Sequence, residues 1–186
     1  MESIKRKVNV LREEGFSFSS FLATLAIVMI LSSIFGFIYE EIFYRIDLGY
    51  FVKRGSTYGP WIPIYFFGGG LIFLISYKFS EKPILVFLIN CIITGILEYG
   101  TGYVLNEFFG IRLWDYNNEI LNFGNINGYI CLRSVLFFGI SSLLLVYFVV
   151  PLVKDFVKKY EKNMNKIAIV SLVAFCSDVF IYLLIH

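Results

Sequence analysis

The stretch Lys53–Gly70, which reads KRGSTYGPWIPIYFFGGG, decides how the rest of the chain is organised. It begins with two cations and then contains Gly55 and Gly59, where the backbone can adopt conformations closed to other residues. Pro60 and Pro63 fix φ and predict that a helix begins here, because proline is tolerated in the first helical turn. The apolar run that follows contains three glycines, which let another helix approach closely. The stretch therefore predicts a tight, cationic loop that enters a membrane helix.

The composition places the whole chain in a membrane. Its 186 residues are 58% hydrophobic and 16% charged, and the mean hydropathy is +0.75. Soluble domains average about 45–50% apolar and about 25% charged residues. The net charge of +2 is too small to indicate nucleic acid as a partner, so membrane lipid is the expected surrounding. We expect an all-α, multi-pass protein of the cell membrane.

Five apolar runs approach the roughly 20 residues that a helix needs to cross the hydrocarbon. Residues 1–19 predict a cytoplasmic amphipathic segment on the membrane surface, and residues 20–186 a single integral membrane domain. The second run is short and contains glycines, so it either spans fully or is re-entrant. The predicted spans are residues 21–39, 62–77, 84–105, 130–150 and 167–185.

The lysine and arginine residues predict the orientation, because cytoplasmic loops carry an excess of both. With the N-terminus in the cytoplasm, eleven cations lie inside, four lie outside, and Arg133 falls within a helix. The C-terminus is then external, and the two long, motif-bearing loops Glu40–Trp61 and Asn106–Tyr129 share the outer face. The basic segment Lys154–Lys166 would lie inside, either as a surface helix on anionic lipid or as a docking helix for a cytoplasmic partner.

Four ionisable residues lie in or beside the apolar runs. Glu98 lies roughly 21 Å from the inner boundary of a ~30 Å core, and Arg133 about 5 Å below the outer boundary, at about 1.5 Å per residue. These depths nearly match, so we expect Glu98 and Arg133 to be in contact. Glu40 ends the first span, and Asp178 lies near the midplane. Because a charge that faces lipid costs roughly 2.5–3.5 kcal/mol or more, all four should face inward.

These charges have two interpretations that the residues alone leave open. They line a polar cavity that opens outward, with Lys53, Arg54 and Arg112 as its cationic rim. Alternatively, they form ion pairs that only hold the helices together. For Asp178 the ion-pair interpretation is favoured.

The second outer loop combines a cation, an acid and interfacial aromatic residues. Arg112 precedes Trp114-Asp115-Tyr116, and Asn122 follows. Asp115 either caps a turn or accepts hydrogen bonds from Arg54 or Arg112. Two arginines with an aspartate and an asparagine suit an anionic or polar headgroup. The candidate ligand-binding residues are Glu40, Arg54, Glu98, Arg112, Asp115, Asn122 and Arg133.

Several catalytic signatures are absent. The chain has no G-x-x-x-x-G-K-[ST] motif, so it is not itself an ATPase. Its only histidine is the terminal His186, which argues against histidine-based metal sites and catalysis. The three cysteines are far apart, so neither zinc nor a disulfide framework is indicated. We expect no cofactor, and carboxylate chemistry at Glu40 or Glu98 is the one enzymatic option.

The string RG-x-x-x-GP-x-x-PIY at Arg54–Tyr65 resembles a motif of the membrane family called ABC-transporter type IV, or CmpB-like. The preceding Gly36 and Glu40, the later Glu98 with T-G, and the W-D-Y and G-x-I-C-L strings are similar to that family too. The resemblance covers about residues 30–150 and implies a permease that works with a separate ATPase. The residues that shape its motifs are Gly55, Gly59, Pro60, Pro63, Tyr65, Trp114, Tyr116 and Gly128.

Three functions remain open at this point. The chain is a permease-like subunit of a transporter, an enzyme that acts on a lipid headgroup at the outer face, or a small structural or regulatory membrane protein. The expected partners are membrane lipid and a cytoplasmic ATPase subunit, and a homo-oligomer is a further alternative. The sequence does not indicate the substrate.

Overall fold

The computed structural model describes residues 17–185, except the side chains of Tyr77 and Lys78. Its helices are α1 (Phe18–Leu48), α2 (Pro63–Phe79), α3 (Pro83–Phe109), α4 (Leu132–Leu144), α5 (Val150–Lys159) and α6 (Glu161–Ile185). A π-helical turn, Leu145–Val149, joins α4 to α5, and a short 3₁₀ turn, Tyr116–Asn118, lies in the second long loop. The predicted all-α fold is confirmed, whereas the predicted surface segment lies almost wholly outside the described residues.

Local sequence explains where these helices begin and end. The Ser17 side chain caps the start of α1, and Pro63 and Pro83 occupy the first turns of α2 and α3, where a missing N–H costs nothing. Gly49 (φ 81°) and Gly110 (φ 68°) end α1 and α3 in the left-handed conformation that glycine adopts most readily.

Four helical stretches are long and apolar enough to cross a membrane. They are α1, α3, the continuous rod Leu132–Lys159 and α6, while the apolar part of α2, Pro63–Ser76, is shorter. The first span was predicted to end at residue 39, but α1 continues to Leu48. The helix ends there because the next residue, Gly49, adopts the left-handed conformation of a C-cap. Glu40 therefore projects from a helix and not from a loop.

The basic segment Lys154–Lys166 is not one separate helix, which corrects the form of that prediction, while its contact with anionic lipid or a cytoplasmic partner stays a prediction. It is the end of α5 and the start of α6, with the break at Tyr160. Lys154 is buried, with 2% of its surface exposed, whereas Lys158 and Lys159 are exposed. The segment is therefore a basic turn between two membrane helices.

The helices pack around α1, which contacts α2, α5 and α6, while α3 packs against α4. The main core, which includes Val28, Phe73 and Val157, lies toward the start of α1. The Ser17 hydroxyl donates to Glu161 at 2.8 Å, so α1 and α6 begin at the same end of the molecule, here called the Ser17 end. At the other end, here called the loop end, Asp47 accepts from the amide of Ile120 at 3.1 Å. Both long loops lie there together.

Gly36 tests whether the close approach of α1 and α2 supports this packing. A Cβ at Gly36 would lie 2.1 Å from Cγ of Tyr65, near the base of a buried side chain that has little room to move. We expect Gly36→Ala to destabilise the protein by about 1–3 kcal/mol and to lower its melting temperature in detergent. The control is Gly100→Ala, because a Cβ there meets nothing within 4 Å and alanine favours the helix. Equal melting temperatures for the two variants would contradict the packing.

Candidate functional site

The first long loop is fixed to α1 through Arg54. Its Nε donates to Oε2 of Glu40 at 3.1 Å, and its backbone N–H donates to Oε1 of Glu41 at 3.0 Å. The guanidinium also lies 3.7 Å above the ring of Tyr44, one turn along α1. Gly55 follows with φ 82°, which lets the chain turn away directly after the arginine. The conformation of this loop therefore holds the Arg54 side chain in one orientation.

The same loop is held from α6 by Asp178. Its two carboxylate oxygens accept from the amide of Tyr58 at 3.0 Å, the amide of Gly59 at 2.8 Å and the indole N–H of Trp61 at 2.6 Å. The expectation of an ion pair at Asp178 is wrong, because loop N–H groups satisfy this carboxylate. The loop has no room for a side chain at Gly59, since a Cβ there would lie 2.6 Å from the Trp61 ring.

The second long loop is closed by its own polar side chains. Arg112 donates to Oδ1 of Asp115 at 2.9 Å and to the carbonyl of Asn127 at 3.0 Å, and Asp115 also caps the 3₁₀ turn. Asn122 donates to two carbonyls of that turn at 3.0 Å. A Cβ at Gly128, where φ is 77°, would lie 2.1 Å from the Arg112 guanidinium. Asp115 and Asn122 therefore shape this loop, and Asp115 pairs with Arg112, not Arg54.

Arg133 pairs with Glu119, which corrects the predicted contact with Glu98. The Arg133–Glu119 distance is 2.5 Å, and the Arg133 guanidinium also lies 3.9 Å above the Phe43 ring. The other Glu119 oxygen accepts from the Tyr44 hydroxyl on α1. Burial raises the pKa of Glu119 above its ordinary value, against the lowering effects of the Tyr44 hydrogen bond and of Arg133. Sequence reasoning missed Glu119 because it lies in a loop, and no spacing showed that this loop folds back over α1.

The two carboxylate oxygens of Glu98 accept hydrogen bonds from hydroxyl groups. Tyr116 donates to one of its oxygens and Ser134 donates to the other at 2.7 Å, and only 4% of Glu98 is exposed. The hydroxyl of Tyr116 thus ties the second long loop to α3, while Ser134 ties α3 to α4. Among residues 17–185, Glu98 takes part in no salt bridge.

A small polar cavity lies between these groups. It has a volume of about 30 Å³, which is enough for one or two water molecules but not for a lipid headgroup. Its polar lining includes Glu40, Tyr44, Glu98, Glu119 and Arg133. Within the described part of the chain, no three His, Cys, Asp or Glu side chains are grouped as a metal site requires.

A larger pocket of about 380 Å³, here called the loop-end pocket, opens beside it. Its polar lining includes three cations and one carboxylate, so these groups carry two net positive charges. Its remaining walls are mostly apolar, with side chains from α2, α3 and both long loops. The charged lining residues are Glu40, Lys53, Arg54 and Arg112, and the apolar ones include Ile64, Phe67, Leu97, Leu105 and Leu113.

Five of the seven predicted ligand-binding residues are therefore divided between two places, while Asp115 and Asn122 line neither. Arg54 and Arg112 line the loop-end pocket, whereas Glu98 and Arg133 line the small cavity. Glu40 lines both, because it lies between them and accepts from Arg54.

Comparison with known proteins gives one result. A family model described as "Putative ABC-transporter type IV" matches residues 27–183. No curated protein matches the chain, and no solved structure does. The resemblance inferred from the motifs is confirmed and extends beyond the stretch that the motifs cover.

A double-mutant cycle tests the partner of Arg133. We expect Arg133→Met and Glu119→Gln each to destabilise the protein by about 3–5 kcal/mol, because each leaves a buried charge unpaired, and the double variant to lose less than the sum. Unfolding in detergent measures all four proteins. The matched cycle of Arg133→Met with Glu98→Gln should show a smaller coupling energy. A larger coupling to Glu98 than to Glu119 would contradict the observed pairing.

Proposed function

The chain belongs to the ABC-transporter type IV family, and from this we propose that it is the permease-like membrane subunit of a transporter. The observation that carries the proposal is the loop-end pocket, which lies at the end of a helical bundle and is large enough for a small ligand. With the orientation predicted from the cation asymmetry, this pocket opens on the outer side. The ligand enters from that side and meets Arg54 and Arg112 first.

The size of the polar cavity supports transport over enzymatic chemistry on a headgroup. An acid or base that acts on a headgroup must reach it to within about 3 Å. Glu98 is covered by Tyr116 and Ser134, and the cavity beside it holds only water-sized molecules. Glu40 reaches the loop-end pocket, but Arg54 occupies one of its oxygens. The carboxylates therefore serve as partners of cations and hydroxyls in this proposal.

The proposal also needs a separate ATPase, since the chain carries no nucleotide-binding motif of its own. The basic turn between α5 and α6 is a suitable docking surface at the Ser17 end. Lys158, Lys159, Lys162 and Lys166 are all exposed there. A cytoplasmic subunit with an acidic surface would complement them.

Affinity purification of the full chain from its native host in mild detergent tests the transporter assignment. We expect an ATPase to copurify with the unchanged chain. The double variant Lys159→Glu and Lys162→Glu should lose most of that ATPase, because like charges then face each other. Asn118→Glu, which adds an acid at the loop end, serves as the control and should retain it.

Two results would contradict parts of this proposal. If no ATPase copurifies with the unchanged chain, a structural or regulatory role replaces the transporter subunit. If the ATPase copurifies equally with the double variant, the basic turn does not dock it and instead contacts anionic lipid.

A further inference from the structure

We propose that the loop-end pocket binds an anionic amphiphile, with an oxyanion headgroup of the phosphate type among Lys53, Arg54 and Arg112 and an acyl chain against α3. The proposal rests on the proposed function only for the idea that this molecule is the transported ligand. The argument that the amphiphile binds here depends only on the residues that line the pocket. The shared chemistry that the site would recognise is a phosphate-type oxyanion, and the attached chain distinguishes a lipid from a free anion.

The headgroup end of the pocket has donors that the fold does not use. Arg54 donates to Glu40 through Nε alone, and its two terminal nitrogens donate to no other side chain or carbonyl among residues 17–185. Arg112 uses one terminal nitrogen for Asp115 and Asn127. Lys53 is exposed and forms no salt bridge within the described residues. Planar guanidinium groups can each offer two parallel N–H groups to an oxyanion.

Arg54 is also preorganised for binding. Its guanidinium stacks 3.7 Å above the Tyr44 ring, its Nε is held by Glu40, and its backbone is fixed through Glu41. A side chain that is already ordered loses less conformational entropy when a ligand arrives. The loop end is therefore suited to bind a headgroup without first rearranging.

The other half of the pocket is apolar, which favours an amphiphile over a free anion. Leu97, Thr101 and Leu105 recur every four residues and so form one face of α3. Ile64 and Phe67 of α2 line the pocket as well. A free phosphate would leave these apolar side chains without a packing partner in the pocket, whereas an acyl chain packs against them.

The volume limits how much of the amphiphile lies inside. Small-molecule pockets range over about 300–1,000 Å³, so about 380 Å³ is near the lower end. The pocket accommodates a headgroup and the first part of one chain. The rest of the chain extends past Phe67, which is 55% exposed at the surface of α2. A single bound molecule is expected.

Native mass spectrometry of the purified full chain, without any partner, tests this proposal. The probes are phosphatidylglycerol, phosphatidylcholine with the same chains, and inorganic phosphate. We expect phosphatidylglycerol to bind at one site and more tightly than the other two. Lys53→Gln should weaken it roughly tenfold, as expected for a lost charge-assisted hydrogen bond, while Lys82→Gln at the Ser17 end should not.

The apolar half is tested by Thr101→Trp, which fills it, with Val104→Trp on an exposed face of α3 as the matched control. We expect only Thr101→Trp to weaken phosphatidylglycerol binding, and Leu105→Trp replaces it if that variant does not fold. Equal binding of the two lipids would overturn the proposal. So would phosphate binding that matches phosphatidylglycerol and ignores Thr101→Trp, because the ligand would then be a free oxyanion. Since no ATPase is present, these results are independent of the copurification experiment.

Discussion

The burial of charge within an apolar bundle is the constraint on which the loop end depends. An arginine near the end of a membrane helix must find an anion, because leaving it unpaired is costly. Arg133 of α4 pairs with Glu119 of the second long loop, and the Tyr44 hydroxyl of α1 donates to the other oxygen of Glu119, so both helices hold this loop. Arg54 of the first long loop pairs with Glu40 of α1. The two ion pairs thus fix the first loop to α1 and the second loop to α4.

The small cavity and the loop-end pocket also differ in the charged side chains that line them. Three carboxylates, Glu40, Glu98 and Glu119, border the small cavity, and the groups around them are hydroxyls and guanidinium groups that already bind them. The lining of the loop-end pocket has the opposite balance, since it contains three cations and one carboxylate, Glu40, while Asp115 pairs with Arg112 from outside the lining. Glu40 borders both the small cavity and the loop-end pocket and accepts from Nε of Arg54, whose terminal nitrogens donate to no other side chain or carbonyl among residues 17–185. The family membership and this charge balance together support a permease-like subunit that accepts an anionic ligand.

The sequence predicted the helices well because apolar run length and proline position are local signals. It also predicted that both motif loops share one end. Arg54 and Glu40, which it named as candidate binding residues, form a salt bridge, and their binding role stays a prediction. Besides the end of α1 and the form of the basic segment, the errors concern contacts between distant segments. Arg133 was paired with Glu98 because the two residues lie at similar depths along the membrane normal when counted from the ends of their helices. Such a count cannot show that Glu119, in a loop, folds back to Arg133. Asp178 was interpreted as an ion-pair partner because the amino-acid sequence does not show which backbone N–H groups will lie beside a carboxylate. In the structure, the amides of Tyr58 and Gly59 donate to it.

An experimental density map of the chain in lipid nanodiscs that contain phosphatidylglycerol would test the central claim most directly. The account predicts that the Arg133 guanidinium contacts Glu119, that Arg54 contacts Glu40, and that headgroup density lies beside the terminal nitrogens of Arg54. It would be contradicted by a map in which Arg133 turns to Glu98, the second loop lies away from α1, and the loop-end pocket is closed.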